Sequence, residues 1–180
     1  LLAPELAALD YRDAVQGVNV VKPSKIRVEA DEATYAMHII IRFEIERDLF
    51  AERLRVDELP QVWNEKYSKY LGVDIKDDAE GVLQDVHWSQ GYFGYFPSYA
   101  IGNIICGQLH AKLEREMPEW RSHVQNGRFL GVREWLNRNV HSHGNLHNPL
   151  DLLRIITGEG LEPRHFASYL NSKYERVYGL

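Results

Sequence analysis

Disulfide chemistry is the first thing this sequence lacks. Cys106 is its only cysteine, so no intramolecular disulfide is available, nothing calls for an oxidising compartment, and a cytoplasmic setting is expected. A long apolar run is missing as well. The most apolar helical stretch, residues 36–41, is broken by His38 and is far too short to span a bilayer, so no membrane partner is expected. Nor is there a basic excess: 21 Lys and Arg stand against 26 Asp and Glu, the formal net charge is −5, and the cations are scattered, which argues against nucleic acid. No H-E-x-x-H, G-x-S-x-G or Gly-rich phosphate loop occurs in the 180 residues. No methionine precedes Met37 and no cationic, apolar leader opens the chain, so the simplest expectation is an engineered or natural piece of a longer protein.

Apolar residues make up 44% of the chain, enough for one substantial core. Helical spacing recurs from end to end while period-two alternation is scarce, which predicts a mainly α fold with little or no sheet, organised as one unit over residues 1–180. Helices are expected over residues 4–16, 31–54, 56–71, 98–116, 128–139, 149–157 and 163–178, with an extended segment at 18–28 and an acidic loop at 72–81. The helix at 31–54 should be capped by Asp31 and broadly buried, yet His38, Arg42 and Glu46 stand at i, i+4 and i+8. That polar stripe reads as solvated or salt-bridged, or as the wall of a cleft. Cys106 falls in an apolar helical run and reads as a packing residue.

Three segments could carry chemistry. The first, GVLQDVHWSQGYFGYFPSY at residues 81–99, crowds six aromatics, His87, Asp85 and three glycines into a short span. Imidazole can move a proton near neutral pH, the phenols of Tyr92, Tyr95 and Tyr99 can donate to an oxyanion, and Gly91 and Gly94 allow close backbone approach. Alternatively Asp85, His87 and Trp88 knit a loop onto the core. The second, IRVEAD at residues 26–31, puts Arg27 on an extended segment before a helix; its planar fork suits a carboxylate, or else a salt bridge to Glu29, Asp31 or Glu32. The third, HSHGNLH, places His141, His143 and His147 close together. Without a cysteine or carboxylate in the same segment it reads as a helix-end cluster sooner than as a metal site.

IRVEADEATY at residues 26–35, IIIRFEIERDLF at 39–50, GVLQDVHW at 81–88 and GYFGYFPSYAIGN at 91–103 resemble the carboxypeptidase Taq family of zinc metallocarboxypeptidases, the thermostable carboxypeptidase 1 group. That family carries I/V-R-x-x-A-D followed by G-x-x-Q-D-x-H-W, and both motifs are intact and in order here; NRNVHSHG and TGEGLEPRHFASYLNSKYE continue the likeness to nearly the whole chain. The resemblance implies a helical zincin-like fold of the neurolysin and angiotensin-converting-enzyme type. It also implies hydrolysis of C-terminal residues from peptides, and homodimers. Family members are much longer, and their Zn2+ or Co2+ is held by H-E-x-x-H and a downstream Glu that this sequence does not contain. The chain is thus expected to be a C-terminal portion, with no metal ligands of its own, that needs the missing N-terminal portion for activity. By the same resemblance Arg27 matches a residue of the substrate groove expected to grip a terminal carboxylate. His87, Tyr92 and Tyr95 look like substrate-binding or oxyanion-stabilising groups, Tyr95 foremost, while Gln84, Asp85 and Trp88 hold His87 and shape the pocket. Without the N-terminal portion, the aromatics at 92–96 should be uncovered.

Overall fold

The computed structural model describes residues 8–180, and among these residues it contains α-helices, short 3-10 turns and no strand. The α-helices are α1 Tyr11–Val18, α2 Tyr35–Phe50, α3 Leu59–Leu71, α4 Pro97–Glu116, α5 Trp120–Gln125, α6 Leu130–Asn139, α7 Pro149–Thr157 and α8 Arg164–Tyr178. The helix expected at 4–16 is found only in part, as α1: Asp10 is extended and caps it by accepting from the Arg12 N–H, the helix runs through Gly17 to Val18, and residues 4–7 lie outside the described residues. The chain divides into two compact units, one running to Ala100 and taking in Lys173–Leu180, the other Ile101–Ser172. Among the described residues no helix is long and apolar enough to cross a membrane.

The first unit is built on α2 against α3. Ile41 and Ile45 of α2 meet Trp63, Tyr67 and Leu71 of α3, with Leu54 closing the cluster. Each such large side chain removed from water contributes about 1.5–3 kcal/mol. Pro60 suits the opening turn of α3, and Gly72, at φ +65°, ends it by donating its N–H to the carbonyls of Tyr67 and Ser68. α2 is shorter than the sequence predicts. Asp31 accepts the N–H groups of Ala33 and Thr34, both at 2.9 Å, and so caps a turn that precedes the helix instead of the helix itself. At the other end Glu52 takes φ +55°, which no helix can continue through.

Burial around α2 also departs from expectation. Ile40, Phe43 and Phe50 are exposed, whereas the polar stripe is buried: His38 and Arg42 are 0% exposed and Glu46 4%. The stripe turns inward because residues 84–96 return over α2 with hydrogen-bonding groups to match.

In the second unit Leu113, Trp135, Leu153 and Ile156 form the buried apolar positions, and the Trp135 indole donates to Glu116 at 2.7 Å. Gln108 is buried and staples the loop before α8, donating to the carbonyl of Gly160 at 2.8 Å and accepting from the N–H of Glu162 at 2.9 Å. Gly107 lies against α8 so closely that a Cβ there would meet the Phe166 backbone at 2.7 Å. Cys106, expected to pack inside, is exposed: the inward face of α4 is the one carrying Gly107 and Gln108, and the next position back along the helix points away from it. The short helix α5 is not predicted by the sequence pattern, its six residues being too few to display a period.

Candidate active site

Asp85 lies at the centre of the first unit's polar interior. Its Oδ1 accepts from Arg27 Nε at 2.9 Å and Nη2 at 2.7 Å, and its Oδ2 accepts from Arg42 Nε at 2.6 Å. Gln84, one residue earlier, uses its whole amide: Oε1 accepts from the Arg27 N–H and from Arg42 Nη2, each at 2.9 Å, while Nε2 donates to the carbonyls of Lys25 and Glu80. Arg42 completes its set with the His38 carbonyl at 2.8 Å and the Tyr67 hydroxyl at 3.1 Å, and its guanidinium lies 4.6 Å from the Trp63 ring centre. Burial alone would push the Asp85 carboxyl up, but the charges and hydrogen bonds of Arg42 and Arg27 outweigh it and hold the pKa below the usual carboxylate value.

Arg27 therefore has a partner that the sequence does not reveal. Its salt bridge is to Asp85, 58 residues away, and not to Glu29, Asp31 or Glu32. It also lies in a short 3-10 turn, Arg27–Glu29, where an extended segment is predicted; only Ile26 before it is extended. At 8% exposure the side chain is nearly enclosed, with Nη1 donating to Tyr35 at 3.0 Å and the guanidinium 5.1 Å from the Tyr99 ring centre. Among the described residues three of its five N–H bonds are committed, to Asp85 and Tyr35, and one N–H on each terminal nitrogen is not. Burial opposes its charge, yet the hydrogen bonds it donates to Asp85 and Tyr35, with the Asp85 charge, leave its pKa raised.

His38 shares a hydrogen bond of 3.1 Å with the Tyr67 hydroxyl. The same hydroxyl oxygen accepts from Arg42 Nη1, and among the described residues the buried His38 Nε2 has no partner. Burial first, then the positive charges of Arg42 and Arg27, lower the His38 pKa from the ordinary 6.5 to about 4.

His87 stands at the edge of this cluster. Its Nε2 is 3.0 Å from the Tyr99 hydroxyl, its Nδ1 is buried without a hydrogen-bond partner, and its ring centre is 4.4 Å from that of Phe96. The aromatic segment is fastened by Glu46, whose two oxygens accept separately from the Trp88 indole at 2.6 Å and the Gly94 N–H at 3.1 Å. Gly94 takes φ +75°, a conformation that a side chain would resist. Tyr92, Phe93 and Tyr95 are exposed as expected, but Phe96 is buried beneath His87, because the turn at Gly94 sends its ring back to the core.

The structure thus brings Arg27, Gln84 and Asp85 into one buried network, sets His87 beside it, ties Trp88 to α2, and leaves Tyr92 and Tyr95 outside with ring centres 6.4 Å apart. Sequence reasoning missed Tyr35, Arg42 and Tyr67 as members of the network. The i, i+4, i+8 stripe on α2 was the signal for Arg42, and nothing local pointed to the tyrosines.

The family model described as Carboxypeptidase Taq (M32) metallopeptidase matches residues 2–174. The chain belongs to that family. It is 48% identical over 166 residues to Carboxypeptidase 1 of Bacillus subtilis, which covers 92% of this chain and 33% of the relative. To Thermostable carboxypeptidase 1 of Thermus thermophilus it is 44% identical over 174 residues, 97% of this chain and 34% of that one. The solved M32 carboxypeptidase of Deinococcus radiodurans matches with a TM-score of 0.92 at 37% identity, covering 98% of this chain and 36% of that chain. The chain spans about a third of the length of the curated relatives it matches.

An M32 metallopeptidase works with a metal, but the described residues do not fit one: no group of three or more His, Cys, Asp or Glu is placed to hold an ion. His143 and His147 have ring centres 5.7 Å apart, and His141 is engaged with Asn137 at 2.9 Å. The groups this M32 chain itself contributes around Asp85 are imidazole, phenol and guanidinium.

Proposed function

We propose that this chain is the C-terminal portion of an M32 metallocarboxypeptidase catalytic domain that removes C-terminal residues from peptides, and that it supplies the substrate-binding side of the site. The observation carrying this reading is that IRVEAD and GVLQDVHW, 50 residues apart between Asp31 and Gly81, converge on one buried network with His87 at its edge in a chain matched by the family over residues 2–174. Zn2+ or Co2+ and its ligands belong to the remainder of the protein, and both of this chain's units belong to the same longer domain.

Arg27 would grip the terminal carboxylate of the peptide through its two remaining N–H bonds, with Asp85, Gln84 and Tyr35 holding the fork at a fixed angle. Tyr95 donates its hydroxyl to the oxyanion of the tetrahedral intermediate, and Tyr92 and His87 line the same approach. Trp88 and Glu46 fix the segment that carries them. The exposed Tyr92, Phe93 and Tyr95 are covered by the remainder of the protein or by a second copy, in the cytoplasm that a lone cysteine permits.

The test is hydrolysis of an N-blocked dipeptide, with free and with amidated C-terminus, by this chain alone and by the polypeptide extended to the length of its relatives. Turnover only by the longer polypeptide, and only with a free carboxylate, supports the reading. Tyr95→Phe there should lower kcat by about 10²–10³, and turnover within twofold of the parent removes Tyr95 from the reaction. A non-catalytic helical module, for binding or dimerisation, is the second reading; a buried network that satisfies its own arginines and carboxylate favours it. An inactive longer polypeptide that still binds the peptide would decide for it.

A further inference from the structure

Among the described residues Tyr99, in the first turn of α4, contributes the hydroxyl that His87 meets within hydrogen-bonding distance. The 3.0 Å contact allows two arrangements: the phenol donates to an unprotonated Nε2, or a protonated Nε2 donates to the phenol oxygen. The other ring nitrogen decides between them. Nδ1 is buried, has no hydrogen-bond partner, and lies 4.0 Å from Asp85 Oδ1, which carries negative charge. A bare lone pair on Nδ1 would face that carboxylate with repulsion, whereas an N–H there is attracted to it. The proton therefore belongs on Nδ1, Nε2 is the acceptor, and Tyr99 is the donor.

Tyr99 is itself held from several sides. The Arg27 guanidinium lies 5.1 Å from its ring centre, and the rings of Tyr35 and Tyr95 meet it edge-on at 6.5 and 5.4 Å. A side chain so placed joins the buried arginine, the imidazole and the exposed Tyr95. We propose that Tyr99 is a positioning residue: it donates to Nε2 of the Nδ1–H tautomer that Asp85 selects, and so sets the face that the imidazole presents to a bound peptide. The statement about the tautomer stands on geometry; its bearing on turnover rests on the carboxypeptidase reading above.

Two measurements separate these parts. Long-range 1H–15N correlation on the labelled chain reports which nitrogen of each imidazole carries the proton, with His87 assigned by the signal lost in His87→Gln. The neutral His87 of the wild-type chain should show Nδ1–H, and in Tyr99→Phe it should keep Nδ1–H while the 15N shift of Nε2 moves to that of a nitrogen without a hydrogen-bond donor. A wild-type spectrum with the proton on Nε2 overturns the proposal, whether or not the variant folds, as does a Tyr99→Phe spectrum unchanged from wild type. In the longer polypeptide, Tyr99→Phe should lower kcat roughly 10- to 100-fold with KM within about threefold, the range typical for loss of a hydrogen-bonding partner that orients a functional histidine. A lost hydrogen bond at Nε2 with unaltered kcat removes the positioning role while leaving the carboxypeptidase reading intact. A wild-type polypeptide that turns over nothing sinks the carboxypeptidase reading, and the tautomer is then judged by the spectrum alone.

Discussion

Replacing Asp85 with Asn removes the single carboxylate that braces two enclosed arginines, while keeping the side chain's shape. The side chains of Arg27 and Asp85 are each 8% exposed and that of Arg42 not at all, so water cannot take over the lost partner. Removing one member of such a buried pair costs about 3–5 kcal/mol, because the remaining charge stays desolvated. Here two guanidinium groups are left, and one of them faces an amide N–H where it had an acceptor. Against a total stability of about 5–15 kcal/mol for an ordinary domain, that loss is severe. Urea unfolding followed by fluorescence at pH 7 should show the midpoint lowered by roughly 1–5 M for a slope of about 1–3 kcal/mol/M. The pH dependence has a definite sign. The folded-state pKa of Asp85 is depressed, so its contribution is complete above the unfolded carboxylate value near pH 4 and disappears as pH falls through the lower folded value. The gap between wild type and Asp85→Asn should therefore close in acid. A midpoint shift below about 0.3 M at pH 7 would refute the argument that this network is held by its central charge.

His38 supplies a second acid-sensitive element at higher pH. Its folded pKa of about 4 lies below the ordinary 6.5, so the unfolded chain binds the proton first and stability falls from about pH 6.5 down to about pH 4, by up to about 3 kcal/mol. In His38→Gln that slope should flatten between those limits, and an unchanged slope would mean that His38 is charged when folded. Gly107→Ala should destabilise despite the better helix propensity of alanine: the gain is about 1 kcal/mol, whereas the new Cβ would sit 2.7 Å from the Phe166 backbone, and overpacking of that kind costs about 1–3 kcal/mol or more. Thermal unfolding followed by circular dichroism should show a Tm lower by a few degrees, and a raised Tm would show that α8 yields easily.

Much of the architecture was legible in the order of residues, because helices obey local rules. The stop at Gly72 and the continuous run of α4 follow from a left-handed glycine cap and an unbroken helix-forming pattern. The motifs IRVEAD and GVLQDVHW could likewise be read directly, and with them the family. Other features depend on partners far away in the chain. That His38, Arg42 and Glu46 face inward could not be known from α2 alone, since a charged stripe is solvated unless something brings matching donors and acceptors; residues 84–94 do so. The enclosure of Arg27 by Asp85, Tyr35 and Tyr99 is of the same kind. So is the exposure of Cys106, which turns on the close approach of Gly107 to α8. Local sequence determined where the helices run and which motifs they carry. Tertiary structure alone decided which polar groups are buried, because desolvating a charge is tolerable only where the fold delivers its counter-charge and hydrogen bonds to the same place.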